Sequence, residues 1–309
     1  MIKLLRAGVR RYLHSVVFWL ASIVTVAVAV LCANGARNFY FEDFYIMIEF
    51  IIFAVMISWL VGGEYDEGIF RNKVISGHTK VSIFLSELIL GVGTCLTLFL
   101  VFTAVFVLFN SYVFSAIPLS AVAKIFTDVL LVNICFASLT VTISCLIPHR
   151  AIIAIINILL VISIAFSSYT VESAVNQEEY YTEYQYEYTE KTDGDGNTFI
   201  EGTQIEGTEH KVKNPNSISG VVREFCEVVY DVLPYGHITE YISLTSDWFG
   251  YDSYELYSND DTTWEEEHKD MKISDEDNQK INVNLIYSVV VTAVVCGVGV
   301  VFYRKRELK

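Results

Sequence analysis

Six stretches of this chain are predominantly apolar over at least eighteen residues, and nothing else in the sequence constrains its fold as strongly: 15–32, 44–61, 88–109, 125–147, 151–169 and 285–303. A helix rises about 1.5 Å per residue, so each stretch is long enough to cross about 30 Å of hydrocarbon. With 53% hydrophobic residues, 18% charged residues and a mean hydropathy of +0.43, the composition excludes an ordinary soluble domain. The fold class expected is an all-α polytopic membrane protein with six transmembrane helices. The first run is not read as a cleavable signal peptide, because Cys32-Ala33-Asn34-Gly35 is a poor cleavage site and a second apolar run follows at once.

Basic residues beside spans mark the cytoplasmic side. Lys3, Arg6, Arg10, Arg11, Arg71, Lys73, Lys80, Arg150, Arg304, Lys305, Arg306 and Lys309 fall on one side, against Arg37 and Lys124 on the other. Both termini are therefore expected in the cytoplasm. Residues 170–284 are then expected outside the cell as a small α+β insertion before the last helix. That insertion holds 27 acids and 7 bases, a net charge of −20, whereas the rest of the chain carries 9 and 14, a net of +5. Only Cys226 of the six cysteines lies in it, so no disulfide within the chain is expected there, which suits a bacterial plasma membrane. The expected organisation is an interfacial helix over 1–14, five spans over 15–169 with a cytoplasmic loop at 62–87, the outer domain over 170–284, and the last span with a basic tail over 285–309.

Between the second and third spans lies a polar, glycine-punctuated segment, residues 62–80. Asp66 is expected to cap a short helix, Glu67 to add a second negative charge to its first turn, and Gly77 to stop it in a left-handed conformation. At roughly 15 Å such a helix is too short to span a bilayer, and its charge keeps it at the surface. A solvated connector is the plain reading of such a loop.

Glu64-Tyr65, Gly68, Arg71-Asn72-Lys73, Gly77 and Thr79-Lys80 together resemble the permease subunits of type-two ATP-binding-cassette (ABC) exporters. Ile69, where a threonine is common, and Glu87, where a basic residue often follows, depart from that pattern. The resemblance implies that the loop is a coupling helix, with Glu64, Tyr65, Gly68, Phe70, Arg71, Asn72, Lys73, Val74, Gly77, Thr79 and Lys80 engaging a separate ATP-binding subunit. It also implies a second permease, identical or related, as partner, an elbow helix at the N-terminus, and an external re-entrant element at 233–238. ATP and Mg belong to the partner subunit in that scheme; membrane lipid surrounds this chain, and no nucleic acid is involved. The alternative is a membrane-anchored sensor or immunity protein that captures a cationic peptide through its acidic outer domain.

No phosphate loop G-x-x-x-x-G-K-[ST], H-E-x-x-H, C-x-x-C or G-x-S-x-G occurs, so no enzymatic activity, catalytic residue, metal or cofactor is expected in this chain. Glu49 is the one acid within the apolar second run. It either lines the substrate path or the permease dimer interface, or snorkels to the membrane surface. Asn133 and Asn157 are further candidates for the path, although intramembrane amides more often serve helix packing. Lys124 and Asp128 are spaced to pair on one helix face.

On the N-terminal helix, Ile2, Leu5, Val9 and Leu13 form an apolar face for the interface, opposite Lys3, Arg6 and Arg10. Alternation of Tyr184, Tyr186 and Tyr188 followed by Asp193-Gly194-Asp195-Gly196-Asn197 predicts a β-hairpin resuming at 198–201. The same turn fails as a calcium loop, since Thr198 replaces its glycine and Gln204 its glutamate. Ile218, Val221, Val222, Phe225, Val228, Val229 and Val232 predict an amphipathic helix able to lie against the outer membrane face. In 246–280, Trp248-Phe249 and Trp264 are candidate membrane anchors.

Overall fold

The apolar runs form helices, and those helices extend well past the runs. The computed structural model describes residues 1–35, 42–109, 118–183, 185–192, 198–205, 210–233, 235–248 and 274–305. Its helical elements begin with α1 (Ile2–His14), α2 (Val16–Gly35), α3 (Glu42–Asp66), α4 (Ile69–Ile75), α5 (Lys80–Phe109), α6 (Leu119–Leu146) and α7 (Arg150–Val175). Strands β1 (Tyr180–Glu183), β2 (Tyr186–Thr192), β3 (Thr198–Gln204) and β4 (His210–Lys213) follow, then α8 (Val221–Val232), α9 (Gly236–Trp248) and α10 (Asp275–Lys305). Of these, α2, α3, α5, α6, α7 and α10 are long and apolar enough to cross a membrane, and the protein is a multi-pass membrane protein. Hydropathy marks only the part of a helix that suits hydrocarbon. Helix α5 therefore starts eight residues before its apolar run, and α10 ten residues before its own.

The chain divides into two compact units, Met1–Tyr169 with Asp231–Lys309, and Thr170–Tyr230. In the first, α6 packs against α3, α5, α9 and α10. It runs parallel to α10, because successive contacts (Lys124 to Asn278, Leu131 to Thr292, Ser138 to Cys296) advance along both helices in the same direction. Helices apolar all round are sorted by shape and by small polar groups rather than by amphipathicity. Phe50 on α3 stacks on Phe136 of α6 at 4.2 Å, and Phe84 on α5 stacks on Tyr303 of α10 at 5.2 Å.

Helix α1 has two working faces where the sequence suggests one. Leu4, Gly8 and Tyr12 are buried against the bundle, while Ile2, Val9 and Leu13 stay exposed. Glycine is what allows that approach: a Cβ on Gly8 would collide with the Leu90 side chain of α5. The exposed apolar edge remains the face suited to the interface.

The second unit carries the predicted hairpin, β2 paired antiparallel with β3 from Tyr186–Gln204 to Thr192–Thr198. A second ladder, β1 with β4, flanks it in the chain, from Tyr180–Lys213 to Glu183–His210. Tyr184 and the turn at 193–197 lie outside the described residues. The amphipathic helix starts at Val221 behind a left-handed Gly220, so Ile218 is left out of it. Val221, Val222, Phe225 and Val228 are exposed. Pro234, Phe249 and Trp264 are outside the described residues; Trp248 ends α9.

Candidate functional site

Helix α4 is defined by glycine at both ends. Gly68 at its N-cap and Gly77 beyond its C-terminus have φ of 68° and 85°, a backbone region that glycine enters without steric cost. Beyond the helix, the His78 amide donates to the Lys73 carbonyl and the Gly77 amide to the Val74 carbonyl, the paired bonds of a Schellman stop. Asp66 is not the cap. Helix α3 continues through it, its carboxylate takes an ion pair from Arg150 at 3.1 Å, and α4 is left only seven residues, about 10 Å.

The expected site residues separate by direction. Phe70 is 2% exposed and stacks on Tyr65 at 4.0 Å, while the Tyr65 hydroxyl donates to the Cys145 carbonyl at the end of α6. The Lys73 ammonium bridges Glu64 at 2.6 Å and Glu87 at 2.7 Å, and both carboxylates are buried. Arg11 from α1 pairs with Glu64, and the Tyr12 hydroxyl donates to Glu87 at 3.3 Å. Burial first, and the Glu87 charge second, push the Tyr12 phenol well above its ordinary value, so it acts as a donor. Phe70 and Lys73, expected on a docking face, thus point into the protein. Arg71, Asn72, Val74 and Ile75 point out. The Thr79 hydroxyl accepts from the Ser82 amide at the start of α5, and Lys80 is that helix's first residue.

Glu87, which departs from the family pattern, is one of the two acids that hold Lys73. Two acids and two bases from α1, α3, α4 and α5 therefore form one cluster, in which the carboxylates are buried and the bases reach them from partly exposed positions. Removing one partner of such a set leaves an uncompensated charge, which costs about 3–5 kcal/mol.

The intramembrane candidates lie apart from it. Glu49 on α3 is 4% exposed and within electrostatic reach of Cys95, so in this chain it is enclosed by protein rather than snorkelling. Asn133 donates to the Val129 carbonyl of its own helix and receives the Cys95 thiol at 3.6 Å. Asn157 on α7 donates to Ser58 on α3 at 2.9 Å and to Ser144 on α6 at 3.0 Å. The two asparagines thus join helices, and the geometry brings neither to Glu49 by a direct hydrogen bond among the described residues.

A second buried cluster went unread in the sequence. Asp128 on α6 does not pair with Lys124, which instead donates to Asn278 at 2.9 Å. One oxygen of Asp128, Oδ2, accepts from His237 Nδ1 at 3.0 Å and from the Tyr241 hydroxyl at 2.7 Å, both on α9. His237 Nε2 donates to the Asp231 carbonyl at 2.6 Å, and Ser288 on α10 lies 3.0 Å from Nδ1. Serine and aspartate crowd the same ring nitrogen, whereas a hydrolytic triad needs them on opposite nitrogens. The cluster is a fastening between helices. Its members are 109 and 113 residues apart, and the only sequence signals were the run 233–238 and an acid near a span end.

Compared with known proteins, the chain matches no family model, no curated protein and no solved structure.

Proposed function

We propose that this chain is the permease subunit of an ABC exporter, moving or extracting a substrate by alternating access while a separate subunit hydrolyses ATP. The observation that carries the reading is α4: a seven-residue helix between two spans, held from inside by Phe70 and Lys73 and turning Arg71, Asn72, Val74 and Ile75 outward. A rigidly held element transmits force from a docked partner into α1, α3 and α5. A mere connector has no need of two buried acids to hold it. On this reading the termini and α4 are cytoplasmic, and the acidic unit is outside, at a bacterial plasma membrane. A second permease completes the pathway, and ATP and Mg reside in the partner.

The test is purification of the full chain from its native membrane. An ATPase with a phosphate loop should accompany it, and Ile75→Asp should release that ATPase while the chain still inserts. Absence of any such ATPase from the wild-type preparation refutes the reading. Capture of cationic peptides by a chain lacking an ATPase would favour the sensor alternative.

A further inference from the structure

Transport, as proposed, makes no use of the buried cluster that ties α9 to the membrane bundle. Asp128 is wholly buried, and its Oδ1 has no hydrogen-bond partner among the described residues, so compensation of its charge rests on what reaches Oδ2. Two groups do: His237 Nδ1 and the Tyr241 hydroxyl. Since His237 Nε2 is committed to the Asp231 carbonyl, Nδ1 donates to Asp128 only when the ring carries both protons. Neutral His237 would leave a buried carboxylate with one hydrogen bond. We propose that this cluster is a proton-dependent latch, which holds α9 against α6 and α10 while His237 is doubly protonated and loosens when Nδ1 loses its proton.

Every packed element contributes to the setting of the latch. Helix α6 presents Asp128 and Cys135, the end of α8 the Asp231 carbonyl, α9 itself Glu240 and Tyr241, and α10 Asn284 and Ser288. From α3 and α7 the neighbouring groups are the rings of Phe50 and Tyr169, which meet Tyr235. Burial by itself lowers the His237 imidazole; the hydrogen bond and charge of Asp128, the Asp231 carbonyl and Glu240 outweigh it, and the net direction is upward from 6.5. Tyr241 is pushed up by burial and by Asp128, so it stays a donor throughout. A group raised on latching stabilises the latched state fully below its ordinary value, and that stabilisation disappears as pH rises through the raised value. Helix α9 is therefore fastened at acidic pH and loosened at alkaline pH.

The latch operates whether or not the chain is a permease. Hydrogen–deuterium exchange of the full chain in lipid nanodiscs reads it directly, using peptides covering 236–248, corrected for the intrinsic pH dependence and referred to α5. Between about pH 5.5 and about pH 9, corrected exchange of α9 should rise about tenfold for each unit that separates the latched from the released value. His237→Gln and Asp128→Asn should each abolish that rise. Tyr241→Phe, which keeps the ion pair, should keep the rise while exchanging faster at every pH. A flat wild-type profile overturns the latch, as does a rise that persists in either charge variant; should neither variant fold, the wild-type and Tyr241→Phe profiles decide.

Discussion

The two buried charge clusters of the membrane unit do comparable work by different means. Around Lys73, four full charges from α1, α3, α4 and α5 balance one another, and both acids are also reached by a lysine only 9 and 14 residues away. Around Asp128, a single carboxylate depends on one titratable ring and one phenol delivered by a helix more than a hundred residues later in the chain. The first cluster balances full charges, and its lysine lies close in sequence to both acids, so it fixes a short helix firmly. The second has one titratable donor among the described residues, His237, which makes it conditional. The lesson is that burial of charge in a membrane protein can serve rigidity or switching, and the chemistry of the cation decides which.

The sharpest way to break this contrast is Lys73→Met. Glu64 and Glu87 would then share only Arg11, and the chain should lose about 3–5 kcal/mol in detergent unfolding. A loss under about 1 kcal/mol would mean that water or Arg11 already compensates the acids and that the Lys73 set is no more than a surface network.

Tyr241→Phe comes next. A hydrogen bond to a charged acceptor is worth about 1.5–3 kcal/mol, and the Asp128 carboxylate has only one other donor among the described residues. Equal destabilisation by Tyr241→Phe and Lys73→Met would erase the difference between losing a full charge and losing a neutral donor.

Asn157→Leu probes the uncharged contact between α3, α6 and α7. Interhelical hydrogen bonds within membranes average about 0.6 kcal/mol, because the reference state also finds partners, so a loss of that size is expected. A loss matching that of Lys73→Met would show that neutral amides fasten spans as firmly as buried charges do.

How much of this was legible follows from how far each signal reaches. The six apolar runs, the β2–β3 hairpin and the left-handed stop at Gly77 depend on neighbours within a few residues, and each is present. Asp66 misled because a good cap residue carries no sign of whether the preceding helix has ended; α3 simply continues through it. Phe70 and Lys73 misled because a charged, short helix reads as solvated all round, and nothing local announces Glu87 as a buried partner. The Asp128 cluster was out of reach for a plainer reason. Its spacing matched an i,i+4 pair with Lys124, and the competing donors lie on a helix that a local pattern does not connect to α6.

The smallest expected effect is also the one that joins stability to function. Arg71 is adjacent in sequence to Phe70 and two positions from Lys73, yet it is exposed and bears none of the contacts that hold α4. Charge reversal at an exposed position away from such contacts normally changes stability by less than about 0.5 kcal/mol. Arg71→Glu should therefore unfold like the wild type, whereas Lys73→Glu, which would set a third acid between Glu64 and Glu87, should not insert a stable chain. In the sequence alone the two residues look interchangeable as docking cations; the difference between their variants measures how α4 is oriented. If Arg71→Glu proves as destabilising as Lys73→Met, α4 faces the other way, and the outward surface assigned to a partner belongs to the core. If it is stable but loses a bound ATPase, anchoring and docking reside on opposite faces of the same seven residues.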